Sequence, residues 1–167
     1  ANFAIYRYGA KQFPLVVLLA NAFSNAMVPV FASGELQFAM KQIRQRSAGL
    51  MHILFPVTII LLLTSKWLYP VIFNIHFLPS AYIFNILLLL IISYMVFPQT
   101  ILIGLKKPKL ILIASVLELF LHIVLSLILL HYFEIAGVAV ATVCAYVFEK
   151  ILLLFFASAF LKINPVQ

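Results

Sequence analysis

Long apolar stretches separated by short polar segments dominate the chain, and they predict five membrane-spanning helices. Each stretch is close to the roughly 20 residues needed to cross hydrocarbon about 30 Å thick. Strands of a membrane β-barrel would alternate apolar and polar residues, whereas residues 86–92 are uniformly apolar. We therefore expect an all-α fold, a polytopic transmembrane bundle forming a single domain over 1–167. Its spans are predicted near 13–33, 48–65, 81–104, 110–130 and 137–157.

The overall composition supports a lipid environment. Of the 167 residues, 66% are hydrophobic and 9% are charged, against about 45–50% apolar and 25% charged in ordinary globular domains. Too little polar surface remains to cover a particle in water. Cys144 is the single cysteine, which excludes an internal disulfide, and the Cys and His spacings match no zinc pattern. We expect no metal and no cofactor.

Basic residues fall mainly in alternate connections, which predicts an orientation in the membrane. One side carries seven of them: Lys41, Arg44, Arg46, Lys106, Lys107, Lys109 and Lys162. The other side carries Arg7, Lys11 and Lys66. The positive-inside rule then places the N-terminus outside and the C-terminus in the cytoplasm. The formal charge of +7 does not indicate nucleic-acid binding, because these short loops lack interleaved aromatic residues.

Two segments have the character of membrane interfaces. In 34–47, Leu36, Met40 and Ile43 recur at helical spacing with polar residues turned away, which predicts an amphipathic helix lying on the cytoplasmic leaflet. On the outer side, aromatic residues surround a proline-broken loop and predict an interfacial belt. They are Trp67, Tyr69, Phe73, Phe77 and Tyr82.

A polar stripe in the fourth predicted span is the first candidate for function. Glu118 and His122 lie four residues apart on one helical face, with Ser115 and Ser126 one turn away on either side. Ionisable groups inside a span are costly, so they should face the bundle interior or a hydrated cavity. The stripe is either a proton or cation site, or a polar lining for a hydrophilic cargo, or a hydrogen-bonded pair that only locks packing.

The last predicted span contains a second candidate. Glu149 lies past its middle, one turn after Tyr146, and we expect it to face a cavity or to pair with another helix. Lys150 is long enough to extend toward the cytoplasmic interface. On the same span, Gly137, Ala141 and Ala145 recur every four residues, which predicts close packing against another helix.

Prolines inside or near the ends of spans indicate kinked helices, a property that suits a protein that opens and closes. They are Pro14, Pro29, Pro56 and Pro98. Features expected of an enzyme are missing from the sequence: it has four acidic residues, no Gly-rich phosphate loop, no serine elbow and no HExxH motif. We do not expect catalysis.

The ordered run of motifs resembles the C-terminal half of bacterial polysaccharide flippases, within the superfamily of multidrug, oligosaccharidyl-lipid and polysaccharide exporters. The likeness covers nearly the whole chain. The segments that carry it are YRYGAKQFPLVVLLANAFSNAMVPVFA, the basic connector, FPVTIILLLTSKWLYPVIFN, FPQTILIGLKKPKL and IAGVAVATVCAYVFEK.

The resemblance implies part of a two-lobe fold in the bacterial inner membrane, with the N-terminal lobe supplied by the rest of a longer chain. It implies alternating access that moves a polyprenyl diphosphate-linked oligosaccharide for surface polysaccharide synthesis. Cationic residues would neutralise the diphosphate, and Arg7 and Lys11 are the candidates in this sequence. Two alternatives stay open: a multidrug or cation exporter of the same superfamily, and a non-transporting membrane scaffold.

Overall fold

A computed structural model describes residues 2–10, 14–32, 36–94 and 97–161. Every regular element in these ranges is helical, which confirms the all-α prediction. A short 3₁₀ helix at Ile75–Phe77 precedes the fourth α-helix. The α-helices are α1 (Asn2–Gly9), α2 (Pro14–Ala32), α3 (Leu36–Ile72), α4 (Leu78–Leu88), α5 (Leu90–Tyr94), α6 (Pro98–Gly104) and α7 (Pro108–Leu161).

Two helices among the described residues are long and apolar enough to cross a membrane. They are Gln37–Ile72 within α3 and Pro108–Ala159 within α7, and only 6% of the most apolar window of each is buried in the protein. A core helix of a water-soluble domain would be mostly buried, so the apolar side chains of these helices face outward. Shorter apolar helices lie at Leu18–Ala32 and Ile75–Leu88.

Helix α3 joins two segments that the sequence pattern separates. From Leu36 onward, the expected interfacial helix at 34–47 and the expected span at 48–65 form one continuous helix that extends to Ile72; residues 34 and 35 lie outside the described residues. Gly49, at the expected junction, remains helical, and no atom lies within 4 Å of an added Cβ position there. At 1.5 Å per residue, α3 is about 55 Å long.

The expected span at 81–104 is interrupted. Helix α4 ends in a turn at Leu89, whose amide donates to the Ile86 carbonyl oxygen over 3.2 Å. Helix α6 begins at Pro98, which has no amide hydrogen to continue a preceding helix. Prolines also begin α2 and α7, whereas Pro29 and Pro56 lie inside helices. The described residues of this stretch therefore form three short helices, α4, α5 and α6, in place of one.

Helix α7 is a hairpin of two arms. At Glu134 the backbone adopts φ 50° and ψ −136°, in the left-handed region of φ that non-glycine residues rarely enter. Residues 108–133 and 135–161 then run antiparallel, since Ser115 contacts Glu149 and His122 contacts Thr142. Each arm is about 40 Å long. We call these segments the first and second arms of α7.

The closing turn of the hairpin depends on Gly137. A Cβ at this position would overlap the carbonyl oxygen of Leu129 on the first arm. Ala141 and Ala145, one and two turns further on, are fully buried. The face that the small-residue spacing singles out therefore lies against other helices, and its glycine allows the two backbones to approach closely.

The basic residues of two connections lie at one end of the helices. There the ends of α2 and α6 meet, because a Cβ on Gly104 would overlap Phe31, and Ala39, Leu110 and Ala157 belong to the same apolar cluster. At the opposite end, Ile5 of α1 packs with Ile83, Leu87 and Ala139. We call the first of these the basic end; its exposed cations are Lys41, Arg44, Arg46, Lys106, Lys107 and Lys109.

Candidate functional site

Two hydrogen bonds cross the α7 hairpin between polar side chains. Ser115 Oγ donates to Glu149 Oε1 over 3.0 Å. His122 Nε2 lies 3.1 Å from Thr142 Oγ1, and the Thr142 hydroxyl donates to the Val138 carbonyl oxygen over 2.9 Å. Since a hydroxyl has one hydrogen, the Thr142 oxygen accepts from His122 Nε2–H. We call Ser115, His122, Thr142 and Glu149 the hairpin seam.

The register of the hairpin seam explains why these side chains meet. Ser115 and His122 are seven residues apart on the first arm, and Thr142 and Glu149 are seven apart on the second. Side chains at this interval stay on the contact line of two helices that coil around each other. The polar stripe predicted on the first arm therefore faces the second arm.

Glu118 lies beside the hairpin seam and is not hydrogen-bonded to His122, the partner that the sequence suggested. It is half-buried one turn before His122, and the charges of Glu149, His122 and Lys150 act on its carboxyl group. The hydrogen bonds described for 108–133 join His122 to Thr142 and not to Glu118. Ser126 Oγ, further along the stripe, is buried and has no hydrogen-bond partner among the described residues.

Glu149 and Lys150 form a nearly buried ion pair. Lys150 Nζ lies 3.5 Å from Glu149 Oε2, and their side chains are 14% and 10% exposed. The Lys150 ammonium group is thus paired with a carboxylate in a largely buried position. An unpaired ammonium group between apolar helices would be costly, and Glu149 offsets that cost.

A small polar pocket adjoins Lys150 where α2, α6 and the second arm of α7 meet. Its volume is about 70 Å³. Ser24 Oγ and Thr100 Oγ1 lie 2.6 Å apart at its wall and hydrogen-bond α2 to α6. The pocket is lined by Asn21, Ser24, Phe97, Gln99, Thr100 and Lys150.

Sequence reasoning missed most of this polar pocket. Asn21 and Ser24 stand three residues apart within an apolar helix, a helical spacing that places them on one face and was available as a signal. Thr100 has no comparable local signal. Its partner Ser24 lies 76 positions away in the sequence, and periodicity along one helix carries no information on such a contact.

Arg7 lies away from this site. It is exposed on α1, which packs at the end opposite the basic end. Two hydrogen bonds hold α1 there: Ser80 Oγ donates to the Ile5 carbonyl, and Tyr69 OH donates to the Tyr8 carbonyl. Lys11, the other predicted cation, lies outside the described residues.

The expected aromatic belt divides into a cluster of contacting rings and two rings that face outward. Tyr69, Phe73 and Phe77 join a ring cluster around Tyr8. The ring centroid of Tyr8 lies 4.9 Å from that of Phe73 and 4.7 Å from that of Phe77. The others face outward: Trp67 is 78% exposed, and Tyr82 is exposed beneath Lys66 Nζ, which lies 5.1 Å from its ring centroid.

Chemically, the site offers paired charges and hydroxyl and amide groups within apolar surroundings. Within the described ranges, no three His, Cys, Asp or Glu side chains gather as a metal site. The arrangement can bind a small polar or charged group through Lys150 and the polar pocket. Comparisons with protein-family models, curated proteins and solved structures found no match to this chain.

Proposed function

We propose that the chain is a membrane-embedded part of a transporter and crosses the bilayer five times. The crossings are α2, α3, the broken segment α4–α6, and the two arms of α7. The exposed apolar faces of α3 and α7 support this location. The described cations of two connections share the basic end, as the positive-inside rule expects of cytoplasmic loops.

The nearly buried Glu149–Lys150 pair beside the polar pocket is the observation that carries the transport proposal. Each charge inside a span costs roughly 2.5–3.5 kcal/mol on insertion scales, and such residues usually face a pathway or a hydrated interior. Packing alone can be achieved by the small residues of the second arm. A charged pair next to a polar pocket suits a protein that handles polar cargo.

For the cargo we propose the headgroup of a polyprenyl diphosphate-linked oligosaccharide, moved across the bacterial inner membrane by alternating access. The motif order that resembles polysaccharide flippases supports this choice. Lys150 is placed to interact with an anionic group entering the polar pocket, and Arg7 and Lys11 are proposed to attract the diphosphate at the outer end. The chain would act together with an N-terminal lobe.

The test uses the full-length protein in its host cell, with surface polysaccharide and leaflet location of the lipid-linked precursor as readouts. Lys150→Gln should deplete surface polysaccharide by more than any loss of membrane-inserted protein accounts for, with precursor accumulating on the cytoplasmic leaflet. Lys66→Gln, which removes a cation from the opposite end, is the matched control and should change neither readout. Normal surface polysaccharide in the Lys150 variant would contradict the proposal.

The presence of two carboxyl groups, Glu118 and Glu149, in the two arms of α7 favours a second candidate, an exporter of cationic drugs. Two carboxyl groups suit a cationic cargo better than a diphosphate. Under this alternative, Glu149→Gln would sensitise cells to lipophilic cations while surface polysaccharide stays normal. A third outcome would indicate a membrane scaffold. In that case the variants assemble poorly, and the protein that does assemble shows no transport defect.

A further inference from the structure

Two adjoining cavities form a groove along α3. The inner cavity, about 200 Å³, lies between α3 and the break that separates α4 from α5. The outer cavity is an open depression along the surface of α3, lined by Met51, His52, Phe55 and Pro56. Met51 and Phe55 line both, so the two lie side by side along α3. We call them together the α3 groove.

The inner cavity is chemically suited to hydrocarbon. Leu54, Ile59, Leu88 and Ile91 contribute apolar walls. Thr58 is its polar side chain, and the Thr58 hydroxyl is occupied because it donates to the Leu54 carbonyl over 2.7 Å. Dry apolar cavities of about 150 Å³ bind apolar molecules such as benzene. The inner cavity exceeds that volume and opens to the outward face of α3.

The outer cavity brings the groove to the edge of the hydrocarbon. About 20 residues cross 30 Å at 1.5 Å per residue, so the 37 residues of α3 extend beyond the bilayer core. His52 lies near the cytoplasmic start of the span predicted at 48–65. Its Nδ1–H donates to the Ala48 carbonyl over 2.7 Å, a bond that does not use Nε2.

Three cations lie between His52 and the start of α3. Lys41, Arg44 and Arg46 are all exposed on this segment, and the described part of α3 preceding His52 has no acidic residue. Cations at this depth attract the anionic headgroups of the adjacent leaflet. The α3 groove therefore has an apolar inner part and a basic outer part, in the same order as the chain and headgroup of an anionic lipid.

We propose that the α3 groove is a binding site for one anionic bilayer phospholipid. One acyl chain occupies the inner cavity against the break at Leu89, and the phosphate lies beside His52 below the basic end. The bilayer presents such lipids at far higher concentration than any cargo. This inference rests on the membrane location proposed above and is independent of transport, so loss of one activity without the other separates the two.

The test measures lipids retained by the full-length protein in native mass spectrometry, titrated with phosphatidylglycerol or with zwitterionic phosphatidylethanolamine. We expect one phosphatidylglycerol to be retained in preference to phosphatidylethanolamine. Ile59→Trp should block the cavity and abolish this preference. Ile60→Trp is the matched control, because Ile60 is 59% exposed on the neighbouring position and does not line the inner cavity.

The headgroup interaction has its own pair of variants on the same helix. Arg44→Gln should weaken phosphatidylglycerol binding about fivefold, the typical contribution of one Lys or Arg near an anionic surface. Lys66→Gln, at the far end of α3, should leave it unchanged. Equal retention of both phospholipids, or full binding by the Ile59 variant, would overturn the proposal. Stronger retention of polyprenyl phosphate than of phosphatidylglycerol would also overturn it, by assigning the groove to cargo.

Discussion

Ser115 and Glu149 connect the two arms of α7 through a hydrogen bond of 3.0 Å between the serine hydroxyl and one carboxylate oxygen. The other carboxylate oxygen lies 3.5 Å from Lys150 Nζ. Glu149 is therefore held from two directions, by the opposite arm and by the residue that lines the polar pocket. The hairpin seam and the polar pocket form one connected polar region inside an apolar set of helices.

Replacing Ser115 with Ala should weaken the hairpin by about 1 kcal/mol, within the range measured for side-chain hydrogen bonds between membrane helices. Reversible unfolding of the full-length protein in mixed micelles gives the change in free energy. Ser158→Ala is the control, since Ser158 donates to the Phe155 carbonyl within its own helical turn. A larger loss for Ser158 than for Ser115 would mean that the cross-arm bond is unimportant.

Gly137→Ala should destabilise the protein by about 1–3 kcal/mol, the usual effect of overpacking. The added methyl group would meet the carbonyl oxygen of Leu129, which belongs to the helix backbone and cannot rotate away. Gly49→Ala provides the comparison: nothing lies within 4 Å of its added Cβ, and alanine favours a helix over glycine. Thermal unfolding should show a lower Tm for the first variant and an equal or higher Tm for the second.

His122 should carry its hydrogen on Nε2 when neutral, because Thr142 Oγ1 accepts from that nitrogen. Nitrogen-15 NMR of histidine-labelled protein distinguishes the two tautomers. Thr142→Val keeps the shape of the side chain and should remove the tautomer preference. Glu118→Gln should preserve it; if the Glu118 variant abolishes the preference instead, the partner of His122 is misassigned.

The interaction between α2 and α6 should depend on the hydrogen bond of Ser24 with Thr100. Thr100→Val removes the hydroxyl and leaves Ser24 Oγ without its described partner, since the two oxygens lie 2.6 Å apart. We expect a loss of about 1 kcal/mol in stability. Thr64→Val is the control, because the Thr64 hydroxyl donates to the Ile60 carbonyl of its own helix. Equal effects of the two substitutions would argue against a role in joining the helices.

Local sequence patterns account for the helical class and for the longest elements. The stretch 13–33 corresponds to Pro14–Ala32, and the stretches 110–130 and 137–157 lie within the two arms of α7. Apolar composition and length are properties of each segment by itself, so they can be extracted from the sequence without knowledge of neighbours.

Breaks and long-range contacts were harder to predict. The break at Leu89 occurs inside a uniformly apolar run, and α3 continues through Gly49, a residue type that commonly ends helices. The polar pocket, and the pairing of Lys150 with its neighbour Glu149 beside it, could be predicted only with knowledge of how α2, α6 and α7 pack. Hydropathy describes depth in a membrane but not which helices meet.

Cys144 offers the most direct test of the claim that lipid surrounds these helices. It is the single cysteine of the chain, it is exposed on the second arm of α7, and it lies about 15 Å along that arm from the turn at Glu134. Half the thickness of the hydrocarbon is also about 15 Å. The experiment treats intact membranes with a charged thiol reagent applied to both sides, before and after denaturation in detergent. The account predicts that Cys144 is protected in the membrane and fully modified after denaturation; full modification in the intact membrane would contradict it.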